Sequence, residues 1–397
     1  MRAVTADHVM FNECIPMFRP EKIQINEEGN QIIGYLLLDF FLTETLNFSY
    51  FSIQPSIEVK LPGAYSAFVT PVILPKWFEG YHNAHLFTIG LASVVSFVTG
   101  RPVKAPRDGY TSYREQLDEL SLGELAVQFP ILTAGPGSHL TNISSEATVK
   151  IFESLNDFIE MLFELPFSEY KKVMQSIRLV HLAHNNTRED FALSYYLLVS
   201  SIETVAQIAT KVRDFKKKHE NEDDWKRLAK ESAAVEQLFS AYKEANSKNK
   251  FLNERFVQFI KDYCPYERWE LLEHPYEDYD RYISDITDHS QKSNIAEKHW
   301  FEKYPSDLSE EYLEQIIKDM YKHRSKFTHQ GVNPPHRDQN SFNKFFEEVT
   351  DYDLNGTDEN GFVTIKKILL PNIRLVSFIA RDSIINYYKL KVGKEEG

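Results

Sequence analysis

The sequence predicts a mainly α protein in two parts, a β-rich N-terminal lobe over residues 1–135 and a helical domain over residues 136–397. Three observations predict this. Phe191, Tyr195, Leu198, Ile202, Val205, Ala209 and Val212 recur at alternating spacings of four and three, the pattern of a helix with one buried face. Residues 309–331 carry a second such stripe, which stops at Gly331 ahead of Pro334 and Pro335. The first 135 residues instead show short β-favouring runs at 31–38, 48–53 and 66–74, punctuated by Pro55, Pro62-Gly63, Pro71 and Pro75.

Composition narrows the function classes. Hydrophobic residues make up 42% of the chain and aromatics 13%, which excludes intrinsic disorder. Cys14 and Cys264 lie far apart, so neither a disulfide framework nor a CxxC metal site is expected, and a reducing, cytoplasmic setting fits. The longest apolar run, residues 86–98, falls short of the roughly 20 residues a membrane helix needs, so no span is expected. Asp7, His8 and Glu13 stand where a secretion signal would have a basic region, so no leader is expected either. A net charge of −13 repels nucleic acid at long range, so a nucleic-acid substrate would need a local basic cleft. No pattern asks for a cofactor or a metal.

The elements follow in order. Residues 86–98 read as a helix closing the N-terminal lobe, with Gly100 and Pro102 as its stop. A Gly-Pro-Gly turn at 135–137 marks the boundary. Helices are expected at 145–164, ending before Pro166, and at 168–184. A third starts after Thr187, whose side chain can cap it with Asp190 three residues on. Residues 214–250 are charge-rich and read as an exposed helical hairpin, and 270–288 are acidic and rich in tyrosine. The helix from Ser309 opens with Glu310 and Glu311, which complement its dipole, and buries a stripe of Tyr312, Leu313, Ile316, Ile317, Met320 and Phe327. A polar loop over 351–361 and a last helix over 366–390 complete the reading.

The chemistry concentrates in residues 321–331. Arginine followed within four to six residues by histidine occurs five times, at Arg2/His8, Arg178/His184, Arg213/His219, Arg268/His274 and Arg324/His329, so the spacing alone decides nothing. Arg178 and His184 read as a surface helix end whose cations suit the dipole, and the pairs at 2/8 and 213/219 as solvated. Arg324 differs because it lies on an apolar stripe, where a cation needs a countercharge, an anion or an interface. Five residues of ideal helix turn the chain by about 500°, leaving Arg324 and His329 about 140° apart. They can flank one phosphodiester only if the last turn unwinds or two copies of the helix share a groove. The simpler alternative is that Arg324 pairs with Glu203 inside the bundle and His329 only caps the helix.

Tyr-Tyr-Leu-Leu-Val-Ser-Ser-Ile-Glu-Thr-Val at 195–205, followed by residues 321–331, resembles the Apea-like HEPN family over about residues 190–390. HEPN domains are helical bundles, many of them metal-independent endoribonucleases of toxin, CRISPR-associated and antiphage systems. The resemblance implies that Arg324 and His329 are the catalytic pair, that the cleft forms across a homodimer, and that RNA is the substrate. It also implies an antitoxin or an infection-derived trigger as a partner, with the N-terminal lobe sensing or restraining. Ser325, His323 and Glu203 are supporting candidates, and His336 and Arg337 are candidates for further phosphate contacts. The family often has Asn, Asp or His after the arginine and glycine directly after the histidine, where this chain has Ser325 and Gln330. A HEPN-fold nucleotide- or protein-binding regulatory module without turnover is the alternative.

Overall fold

The computed structural model describes residues 6–19, 32–61, 65–75, 84–107, 115–131, 143, 145–216, 219–248, 250–273, 302–337, 343–357 and 363–395. It is mainly helical, with a curled antiparallel sheet in the N-terminal region. The expected boundary at 135–137, the acidic stretch from residue 274 to 288, and Arg2 and His274 lie outside the described residues.

The chain opens with α1 (Asp7–Phe18), a helix the β-rich reading of this lobe missed. Phe11, Cys14, Ile15 and Phe18 follow helical spacing and are fully buried. The sheet consists of β1 (Ile33–Leu38), β2 (Leu46–Asn47), β3 (Ser52–Ile53), β4 (Ile57–Leu61), β5 (Tyr65–Ile73) and β6 (Val103–Lys104), ordered β2-β3-β5-β1-β6 with β4 also on β5. Every residue of β1 is buried, because both of its faces are covered. Leu36 and Leu38 join the main core, whereas Ile33, Tyr35 and Leu37 pack with Leu122 and Leu125 of α3 (Glu119–Gln128). The main-core face meets α2 (Ala84–Thr99), apolar and buried on nearly every side. A Cβ on Gly34 would collide with Thr88, so this close approach requires glycine.

The helical part begins with α4 (Ser145–Glu164) and α5 (Phe167–Asn186), close to the expected bounds. Next comes α6 (Phe191–Ala209), capped by the Asp190 side chain, which accepts from the Leu193 amide at 2.9 Å. Thr187 is not that cap, since its hydroxyl donates to the Ala183 carbonyl at 2.9 Å. The short α7 (Val212–Phe215), α8 (Glu222–Leu228) and α9 (Ala233–Lys248) form the expected exposed helical excursion. The chain then runs through α10 (Leu252–Tyr263), α11 (Tyr266–Trp269) and α12 (Glu310–Gln330).

The expected loop at 351–361 and last helix at 366–390 need correction. Residues 351–357 belong to β7 (Phe346–Thr357), which pairs antiparallel with β8 (Val363–Pro371), and the last helix, α13, spans Ile373–Glu395. Polar residues such as Asp351 and Asp353 suggested a loop, but a two-stranded ribbon satisfies its backbone by cross-strand pairing whatever its side chains.

The main hydrophobic core runs from Phe11 to Tyr388 and includes α1, α2, the sheet, α4 to α6 and α10 to α13. α6 stands near its centre, against α5, α10, α12 and α13. It is the one described helix long and apolar enough to cross a membrane by length and composition, and its apolar surface is occupied by those neighbours.

Candidate active site

Two helices build the site. α12 is capped by Ser309, which accepts from the Tyr312 amide, and it carries Glu310 and Glu311 in its first turn. Leu313, Ile316, Ile317 and Met320 are buried, as the stripe requires, whereas Tyr312 is 42% exposed and lies off it. The stripe continues into Arg324 and Phe327, which lie over α6. Phe327 packs on the Tyr196 ring with centroids 5.5 Å apart.

The Arg324 guanidinium is held from three directions. Its Nη2 donates to Glu203 Oε2 at 2.6 Å, its Nε to Ser200 Oγ at 3.3 Å, and its Cζ lies 5.4 Å from the centre of the Tyr196 ring. Glu203, Ser200 and Tyr196 come from successive turns of α6, so helical periodicity delivers all three to one point. Glu203 also accepts from Tyr321 Oη at 3.2 Å and Gln207 Nε2 at 3.3 Å, so its buried carboxylate has three donors. Burial, then the Glu203 charge, pushes the Tyr321 phenol up to about 12, so Tyr321 stays a donor at neutral pH. Among the described residues Nη1 of Arg324 carries no hydrogen bond, and 17% of the side chain is exposed. The anchored arginine therefore has Nη1 free of protein acceptors among the described residues.

His329 stands on the last turn, exposed to solvent. The helix is regular through Gln330 and ends on Gly331, with φ +66° and its amide bonded to the Phe327 carbonyl at 3.1 Å, an αL stop. The last turn is not unwound. Arg324 and His329 thus keep the separation of an ideal helix, and only a second copy can bring such a pair across one groove.

The supporting candidates divide. Glu203 is in direct contact with Arg324. Ser325 is partly buried next to it in sequence. His323 is half-buried, and burial lowers its pKa against the opposing charge of Asp319, so it is neutral at pH 7. His336 is not placed as a surface phosphate contact. It packs between the rings of Phe191 and Tyr195, its Nε2 donates to the Pro371 carbonyl at 2.9 Å, and burial lowers its pKa to about 4. It anchors the loop after α12. Arg337 is exposed, and its backbone amide donates to Glu347 at 2.7 Å.

The remaining Arg/His pairs are not surface duplicates of this one. Arg178, His181 and His184 are buried, contrary to their reading as a solvated helix end. His181 Nε2 donates to the Val103 carbonyl at 2.7 Å and its Nδ1 accepts from Arg178 at 2.8 Å, while Ser93 Oγ, 2.9 Å from Nδ1, donates its own proton to the Ile89 carbonyl. Ser96 donates its own proton to the Arg101 carbonyl, so His184 Nδ1 donates to Ser96, and His184 Nε2 accepts from Ser377 at 2.7 Å. Nothing local in the sequence revealed this, because Ser93 and Ser96 sit on α2, 88 residues away, and Ser377 on α13, 193 residues away. Arg268 forms a two-pronged pair with Asp382 at 2.6 and 2.7 Å, while His8, Arg213 and His219 are exposed.

Among the described residues no group of three or more His, Cys, Asp or Glu side chains is arranged to hold a metal ion. No family model, curated protein or solved structure matches the chain.

Proposed function

We propose that the chain is a metal-independent endoribonuclease of the HEPN kind, acting as a cytoplasmic homodimer in antiphage or abortive-infection defence. The observation that carries this reading is the posture of Arg324. It is fixed by Glu203, Ser200 and Tyr196 yet keeps Nη1 open, on the same helix end as a solvent-exposed histidine. A merely structural ion pair does not call for the second feature.

RNA supplies its own nucleophile, so the demands on the protein are small. In the proposed reaction His329 removes the proton from a 2′-hydroxyl, the 2′-oxygen attacks the adjacent phosphorus, and the bond to the 5′-oxygen breaks. The leaving 5′-oxygen takes a proton from solvent water, and the products are a 2′,3′-cyclic phosphate and a 5′-hydroxyl. Arg324, permanently charged and fork-shaped, braces the non-bridging oxygens as charge builds on them. Glu203 orients Arg324 and does not touch the phosphate. An antitoxin or an infection-derived trigger would then act by hindering or promoting assembly of the shared groove.

Incubation of the purified protein with total RNA in the presence of a chelator tests the reading. Cleavage with cyclic phosphate ends is expected, reduced at least about a hundredfold by His329→Ala, the usual scale for loss of a general base. Equal cleavage by wild type and His329→Ala would remove the assigned site. The 2.6 Å contact between Arg324 and Glu203 favours a second reading, a HEPN-fold regulatory module in which the pair only locks α12 to α6. Expression of the wild type at no cost to growth, with no gain on Arg324→Lys, would favour that module.

A further inference from the structure

We propose that Arg178, Arg107 and the N-terminus of α1 form an anion site suited to a phosphate group, in which Asp7 is an occupant supplied by the chain itself. The site is unconnected with the ribonuclease reading.

Two guanidinium groups converge on one carboxylate. Arg178 Nη2 lies 2.7 and 2.6 Å from the two oxygens of Asp7, and Arg107 Nη2 lies 2.8 Å from one of them. Two guanidinium charges thus meet one carboxylate, in a chain whose net charge is −13. One carboxylate under-fills such a cluster. A phosphate monoester brings close to two negative charges and three acceptor oxygens, which two arginines can share.

The fork is in place independently of Asp7. The Arg178 side chain is 8% exposed, its guanidinium rests 5.0 Å from the centre of the Phe11 ring, and its Nη1 donates to His181. Its Nε is buried with no hydrogen-bond partner. The outer side of the site is open, with Asp7 39% and Arg107 52% exposed.

The helix adds to the site. Ala6, the N-cap residue of α1, offers no side-chain cap, and the positive end of the helix dipole lies at Asp7 in the first turn, while the Val9 and Met10 amides bond to the Ala6 carbonyl. Phe11, Cys14, Ile15 and Phe18 hold the rest of α1 in the core. The first turn can therefore fray and release Asp7 while the helix stays docked.

Isothermal titration calorimetry on the full chain tests this, with inorganic phosphate and adenosine 5′-monophosphate as separate titrants. Asp7→Asn removes the competing charge and keeps the side-chain shape. It should bind phosphate at least about tenfold tighter than wild type, and adding Arg107→Ala should abolish the gain. Binding of the nucleotide as tight as that of inorganic phosphate identifies a phosphate monoester as the ligand class, and binding of inorganic phosphate alone identifies the free ion. Asp7→Asn binding no tighter than wild type, or a gain that survives Arg107→Ala, overturns the proposal and leaves a clasp for α1. If Asp7→Asn does not fold, hydrogen exchange in the wild type decides. Phosphate should then accelerate exchange at the His8 to Met10 amides, and unchanged exchange there overturns the site.

Discussion

Arg324 and His329 share a helix, but their environments make opposite demands on a mutant. Arg324→Ala leaves the buried Glu203 without its charged donor, and should cost about 3 kcal/mol in urea unfolding, at the lower end of the range for breaking a buried pair because Arg324 is 17% exposed. Arg324→Lys keeps a cation for Glu203 but loses the fork, so it should unfold within about 1 kcal/mol of wild type yet fail to brace a phosphate. A lysine variant that cleaves RNA at the wild-type rate would show that the fork is not used. His329→Ala touches only an exposed position and should move stability by no more than about 0.5 kcal/mol. Gly331 isolates a backbone effect, because nothing lies within 4 Å of a Cβ placed there while its φ is +66°. Gly331→Ala should therefore cost about 1 kcal/mol through the left-handed conformation alone, measurable by the same unfolding experiment.

Among the elements, the contact of α5 with α2 and α13 carries a pH dependence. His181 and His184 are neutral in the fold, the first held well below its usual range by burial and Arg178, the second lowered to about 3 by burial and Arg381. In the unfolded chain each takes up a proton near pH 6.5, so below that the unfolded state binds more protons than the native one. Stability is thus full above pH 6.5 and falls as pH drops toward the folded values, by about 1.4 kcal/mol per histidine per pH unit. The urea midpoint should fall measurably between pH 7 and pH 5.5, before ordinary carboxylates titrate, and the fall should shrink in His184→Gln. A flat profile would mean that these rings are not buried neutral. The same helices show what the sequence disclosed and what it hid. α6 was legible by its apolar stripe, although Asp190 and not Thr187 caps it, α12 was legible because its stripe and its Gly331 stop are local signals, and Arg324 was legible as a cation on an apolar stripe. α1 was hidden by a lobe read through its prolines, although Phe11, Cys14, Ile15 and Phe18 keep helical spacing. β7 was hidden because cross-strand pairing outweighs the polar side chains of residues 351–357. The burial of Arg178, His181 and His184 depended on Asp7, Ser93, Ser96 and Ser377, residues that only the fold brings near.

Taken as a whole molecule, the chain packs its N-terminal sheet, α1 and α2 into the same core as α12, the helix that carries Arg324 and His329. What one copy does not supply is a cleft with both groups on one side, since α12 is regular to Gln330 and keeps them about 140° apart. If two copies share the groove, the arginine acting on a phosphate and the histidine acting on the same nucleotide come from different chains. Two inactive variants should then rescue each other. Arg324→Lys and His329→Ala chains, unfolded and refolded together in equal amounts, give about half heterodimers, each with one groove intact and one doubly defective, so about a quarter of wild-type cleavage should return. Each variant refolded alone should stay inactive. Analytical ultracentrifugation of the mixture confirms that dimers have formed. No recovery in a mixture that is dimeric would place the arginine and histidine of a working site on the same chain, and since α12 does not bring them together, it would end the composite-groove mechanism.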